Sequence, residues 1–237
     1  MKSLFSRFVE QNPPGGFAST QAVPSKTNQD KAIAAQAQAY QEEEQGLGGV
    51  DFPESLGDTR KLQVQYDGYW NLHTTIRVTT ADNLDVPTEL YTVDARHRKP
   101  QMRIRSPARN VEVATVVFHF TKTRIDVTLH GQQFSLESGR MNTRYSYTSG
   151  AMGGEKLTWQ PRKKLDPLNM VLLNGRGGAI ARFKPEYWGS KRGGVLELLP
   201  ECWTTDAMME EVLVVALAVI HWRETQRISA ANSSVSA

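Results

Sequence analysis

The sequence predicts a mainly β protein whose last long element is a single, almost wholly apolar helix. Three observations predict it. Apolar residues recur with period two through most of residues 70–199. Turn residues interrupt those runs at a spacing of about 8–12 residues. The run Val212–Ile220, VLVVALAVI, is then apolar without a break.

The first clear strand is Trp70–Thr80, with Leu72, Thr74, Ile76 and Val78 on one face and Asn71, His73, Thr75 and Arg77 on the other. Glu89–Asp94 and Gln101–Arg105 follow across the basic loop Arg96-His97-Arg98-Lys99-Pro100. Val111–Thr121 and Arg124–Leu129 come next, and His130-Gly131 turns the chain into Gln132–Leu136. Thr143–Ser149 and Glu155–Gln160 flank a Gly-rich turn. Met170–Leu173 and Ala179–Phe183 flank Asn174-Gly175-Arg176-Gly177-Gly178, and an Asn-Gly step between apolar runs is a strong hairpin signal. Val195–Leu199 ends the series. In all, about ten to twelve short strands with turns between them predict a barrel or a sandwich. Strands do not alternate with helices, which argues against a parallel α/β sheet.

Thr204, Thr205 and Asp206 are N-cap candidates for the last element, and Glu210 and Glu211 fall in its first turns, where the helix dipole favours anions. Arg223 and Arg227 are expected in its last turns. A surface helix shows one apolar stripe, whereas this run is apolar on every side and must be buried on every side. Seven of its side chains are large. At about 1.5–3 kcal/mol each, their burial is worth on the order of 10–20 kcal/mol as an upper bound. The run is too short for the roughly 20 apolar residues of a membrane span, and Glu210, Glu211, Arg223 and Glu224 bracket it. Wrapping a sheet around the helix buries it completely.

Residues 11–30 have linker composition, and residues 31–45, KAIAAQAQAYQEEEQ, form helices readily but carry almost no apolar face. The sequence therefore predicts a disordered polar arm over residues 1–59 with a transient helix at 31–45, a folded domain over 60–228, and a disordered tail over 229–237. Charge divides along the same line. Residues 1–59 hold four Lys/Arg against eight Asp/Glu, leaving 24 against 17 for the rest. An excess of +7 suits an anionic partner, and it also serves plain solubility.

The single cysteine, Cys202, excludes an internal disulfide and a Cys-rich metal site, and reads as a packed small hydrophobe. The N-terminus shows no long apolar h-region, and Lys2 excludes myristoylation. These features predict an intracellular, cytoplasmic protein, peripheral to a membrane if it meets one at all.

Many antiparallel strands followed by a terminal apolar helix resemble the tubby C-terminal-like superfamily, which includes the tubby domains, the phospholipid scramblases and the LURP-one-related proteins. Leu173–Phe183, Gly194–Leu198 and the EEVLVVALAVIHWRETQR helix resemble uncharacterised fungal members of that group. The resemblance spans residues 62–228. It implies a closed antiparallel barrel of about 10–12 strands around a central helix.

Catalytic motifs are missing. Gly150-Ala151-Met152-Gly153-Gly154-Glu155-Lys156 lacks the second glycine and the Ser/Thr of a phosphate loop, and a strand follows it. There is no G-x-S-x-G and no H-E-x-x-H. His73, His97, His119, His130 and His221 are scattered, with His119 and His221 in apolar runs that predict core or rim positions. Asp94, Asp126 and Glu137 fall on different strands. The expectation is a protein without catalysis, metal or cofactor.

The remaining signal is basic. Arg96, Arg98 and Lys99 crowd one loop, and Arg103 and Arg105 share a strand face at spacing two. Together these five are the candidate residues for gripping a phosphorylated lipid headgroup. Further basic groups are Arg109, Arg162-Lys163-Lys164, and Lys191-Arg192 beside Trp188. A solvated loop and strand edge is the plainer reading. Tubby domains bind phosphoinositides through basic residues of one barrel face, so the resemblance implies an anionic membrane surface as partner. Alternatives are a protein-interaction adaptor, an enzyme with a site in the barrel mouth, and, less favoured, a nucleic-acid-binding β domain. A hollow ligand carrier conflicts with the apolar helix.

Overall fold

The computed structural model describes residues 52, 58–67, 73–81, 88–119, 123–139, 143–163, 166–188 and 191–235. The arm assigned to 1–59, with its helix at 31–45, lies outside them except for Phe52, Asp58 and Thr59.

Twelve antiparallel strands close into a barrel in chain order. They are β1 (Arg60–Asp67), β2 (His73–Thr80), β3 (Glu89–Arg96), β4 (Met102–Ser106), β5 (Val111–His119), β6 (Arg124–Leu129), β7 (Gln132–Ser138), β8 (Tyr145–Ser149), β9 (Glu155–Lys163), β10 (Asp166–Leu173), β11 (Ala179–Trp188) and β12 (Lys191–Leu198). β1 pairs with both β2 and β12, so no edge is left open. A 3-10 turn at Pro200–Cys202 leads into α1 (Asp206–Val235).

The predicted helix fills the lumen. Val212–Val219 are all inaccessible, and Ile220 nearly so. They join one core cluster with the inward residues of the strands, such as Leu62, Ile76, Ile104, Leu157 and Leu196. Thr205 caps the helix: its Oγ1 accepts from the Met208 N–H at 3.2 Å.

Residues 229–235, which the sequence assigns to the tail, continue α1 to Val235. Ser229 hydrogen-bonds back to the Thr225 carbonyl at 2.9 Å, and Ala230 and Ala231 favour helix. Arg223 and Arg227 therefore lie mid-helix rather than in its last turn.

One described residue ahead of residue 58 is also packed. Phe52 is buried, and its ring lies 4.5 Å from the Arg182 guanidinium on the outside of β11. β1 precedes the predicted strand series, with Leu62, Val64 and Tyr66 inward. β9, β10 and β11 run through Pro161, Pro167 and Pro185, beyond the bounds Gln160, Met170 and Phe183 that the sequence gives them. The β9–β10 register shifts between Asp166 and Met170, and a shifted ladder tolerates a missing N–H.

One turn and one strand position show why their residues were needed. Asn174 Oδ1 accepts from the Arg176 and Gly178 N–H groups at 3.1 and 2.8 Å, and Gly177 takes a positive φ of 82°. Gly194 lets the Phe183 ring reach the β12 backbone. A Cβ there would lie 2.5 Å from that ring and 2.3 Å from the Lys184 carbonyl.

Candidate functional site

The five predicted basic residues fall on one stretch of the outer wall. In β4, Met102, Ile104 and Ser106 are buried, so Arg103 and Arg105 point outward. Arg96, Arg98 and Lys99 are exposed at the end of β3 and in the β3–β4 loop. The loop sits at the barrel end where α1 leaves the lumen, since His97 acts electrostatically on the buried His221 of the helix.

Carboxylates answer two of the five. Arg96 pairs with Asp94, which holds its guanidinium pKa above the usual value. Arg103 reaches Glu112 at 3.3 Å. Arg98, Lys99 and Arg105 form no ion pair among the described residues. Their charge is free for an external anion.

Arg109 leaves this group. It sits at the opposite end of the barrel, where α1 begins, and pairs with Glu210 of the helix. Glu210 is almost fully buried, and it also accepts from Tyr91 Oη at 2.7 Å and meets His130 Nε2 at 2.6 Å. Three loops and strands thus converge on one carboxylate. The neighbouring Glu211 accepts from the Ala151 N–H at 3.0 Å. Its other oxygen, like the hydroxyl of Tyr147, is buried with no partner among the described residues. Burial, and then the Glu211 charge, push the Tyr147 phenol well above its usual pKa. Nothing in the spacing of Tyr91, Arg109, His130 and Glu210 announces this ring, because 80 to 119 residues separate the helix carboxylate from its partners.

His221 is buried, as its apolar setting predicts, and burial lowers its pKa to about 4. His119 is the last residue of β5, half-buried and hydrogen-bonded. It lies on the outer wall of β5, where Nε2 meets Asp126 Oδ2 at 2.7 Å. Asp126 also accepts from Arg124 Nε at 2.7 Å and Ser135 Oγ at 2.7 Å. Chiefly the Arg124 bonds hold this carboxyl far below the usual range. Both His119 and Ser135 address the aspartate and not each other, so this is no nucleophile–base pair. Cys202 is buried, donates from Sγ to the Ile180 carbonyl at 3.2 Å, and has its thiol pushed up to about 12, mainly by burial. It packs as the sequence predicts and is no nucleophile.

Arg162 and Lys163 lie at the end of β9. Lys164 and the side chains of His73, Trp188, Lys191 and Arg192 lie outside the described residues. Among the described residues, no three His, Cys, Asp or Glu side chains gather to hold a metal ion. No helix there is long and apolar enough to cross a membrane.

These features define a closed, helix-filled twelve-stranded barrel with a cationic stretch on its outer wall. In comparisons with known proteins, the chain matches no family model and no curated protein.

Proposed function

We propose that the protein is a non-enzymatic tubby-like barrel that binds anionic phospholipid headgroups at a membrane surface through the β3–β4 wall. One observation carries the reading: Arg98, Lys99 and Arg105 have no ion-pair partner among the described residues and lie beside Arg96 and Arg103. Such side chains offer charge-assisted hydrogen bonds to phosphate without first breaking an internal pair. The fold supports the same reading. A closed barrel ending in a lumenal helix is compatible with the tubby-like architecture that the sequence resembles, and the filled lumen leaves recognition to the outside.

Co-sedimentation of the full chain with neutral, phosphatidylserine and phosphoinositide vesicles at two salt concentrations tests it. Binding is expected to require anionic lipid and to weaken with salt. At about 1 kcal/mol per cation near the surface, the triple variant Arg98→Ala/Lys99→Ala/Arg105→Ala should lose on the order of 100-fold in partitioning. Equal sedimentation with neutral and anionic vesicles, or an unaffected triple variant, would sink the reading.

A further inference from the structure

The outer wall of β10–β12 is built differently from the rest. Val171, Arg182 and Glu197 stand side by side in register on three adjacent strands. Their chain neighbours Met170 and Leu172, Ala181 and Phe183, and Leu196 and Leu198 belong to the core, so these three point outward. Yet all three are buried, with relative exposures of 0%, 2% and 6%. Outward positions on β4 are half-buried or exposed by contrast.

The covering group the structure shows is Phe52. It is 4% exposed, and its ring lies 4.5 Å from the Arg182 guanidinium carbon, a cation–π geometry. Glu197 Oε2 fixes that guanidinium from the side, accepting from Nε at 2.8 Å and Nη2 at 2.5 Å. Lys184 hems the recess at 3.5 Å from Glu197, and exposed Lys61 stands opposite Glu197 on β1. A flat cation next to an aliphatic register neighbour, held by a carboxylate and with two lysines nearby, suits an aromatic ring with acidic neighbours. In the sequence Phe52 follows Asp51 and precedes Pro53-Glu54.

We infer that this recess is a docking site for a phenylalanine flanked by acidic residues, filled in the structure by the chain's own Phe52. A peptide of the same chemistry takes the place when Phe52 is removed. The site lies on a different wall from the proposed headgroup residues and stands or falls independently of them.

A labelled peptide of the Gly48–Leu56 sequence, titrated by fluorescence anisotropy against the full chain, tests it. The wild-type chain should bind weakly, because its recess is filled. Phe52→Ala should bind at least tenfold more tightly, and a peptide with alanine in place of its phenylalanine should not bind either chain. Phe52→Leu, which keeps bulk but loses the ring, should show a smaller gain and carries the test if Phe52→Ala does not fold. Equal affinity of wild type and both variants, or undiminished binding of the alanine peptide, would overturn the inference.

Discussion

Val215 and Arg105 mark the two extremes of this barrel. Val215 sits midway along the lumenal helix with no accessible surface, surrounded by the inward residues of the strands. Arg105 stands on the outer wall, exposed and without an ion pair among the described residues. Between them lies Arg182, outward by its place in the strand and buried all the same. Direction on a barrel strand therefore does not decide what a charge costs. What covers the residue decides it, and that cover can come from a distant part of the chain.

The sharpest test of the inner extreme is Val215→Asp. It places an unpaired carboxylate among aliphatic side chains, at a cost of several kcal/mol. Whole domains are stable by only about 5–15 kcal/mol, so the variant should fail to fold. Soluble expression with an unchanged melting temperature would show that the helix does not fill the lumen.

Arg182→Ala probes the intermediate case. It leaves Glu197 buried and without its main partner, and such breaks cost about 3–5 kcal/mol. Arg182→Met, which keeps the bulk beneath the Phe52 ring, should still be destabilised, because Glu197 stays buried without its guanidinium partner. Pairing it with Glu197→Gln should recover part of the loss. Denaturant midpoints for the three chains measure this. If Arg182→Ala is as stable as wild type, the wall is solvated and the inside–outside comparison needs no middle term.

The helix and most strands were legible, because burial leaves a periodic trace in the sequence. An unbroken apolar run bracketed by charges and too short for a membrane calls for burial on all sides, and Leu72–Val78 alternates plainly. β1 alternates just as well through Leu62, Val64 and Tyr66 with polar residues between them, so the sequence carries the same signal there. The sequence bounds stop at Gln160, Met170 and Phe183, short of Pro161, Pro167 and Pro185, through which the strands run; proline usually costs a ladder bond, and a local register shift relieves one of these sites. The outward pairing of Arg103 and Arg105 follows from spacing alone. The ring around Glu210 and the Phe52 cover do not, since they join residues that no local pattern links.

Protonation of His221 introduces a charge into the lumen without mutation. Its pKa is lowered from 6.5 to about 4, first by burial and then by His97, while Glu224 acts in the opposite direction. The unfolded chain thus binds the proton more readily between those two values. Stability is complete above pH 6.5 and is lost as the pH falls towards 4. His221→Gln should flatten the fall in melting temperature across that window relative to wild type. Parallel curves would place the imidazole in water.

Arg105→Ala should have the smallest effect on stability, within about 0.5 kcal/mol, since it removes an exposed side chain with no partner to strand. Its register neighbours Thr92 and Glu112 remain solvated. Removing Arg103 instead releases Glu112 from a 3.3 Å contact across exposed groups, also worth little. A measurable stability loss at Arg105 would mean that the wall is covered there as it is over Arg182. The residue would then be structural, and the argument for an external anion would fail at the position where it is now strongest.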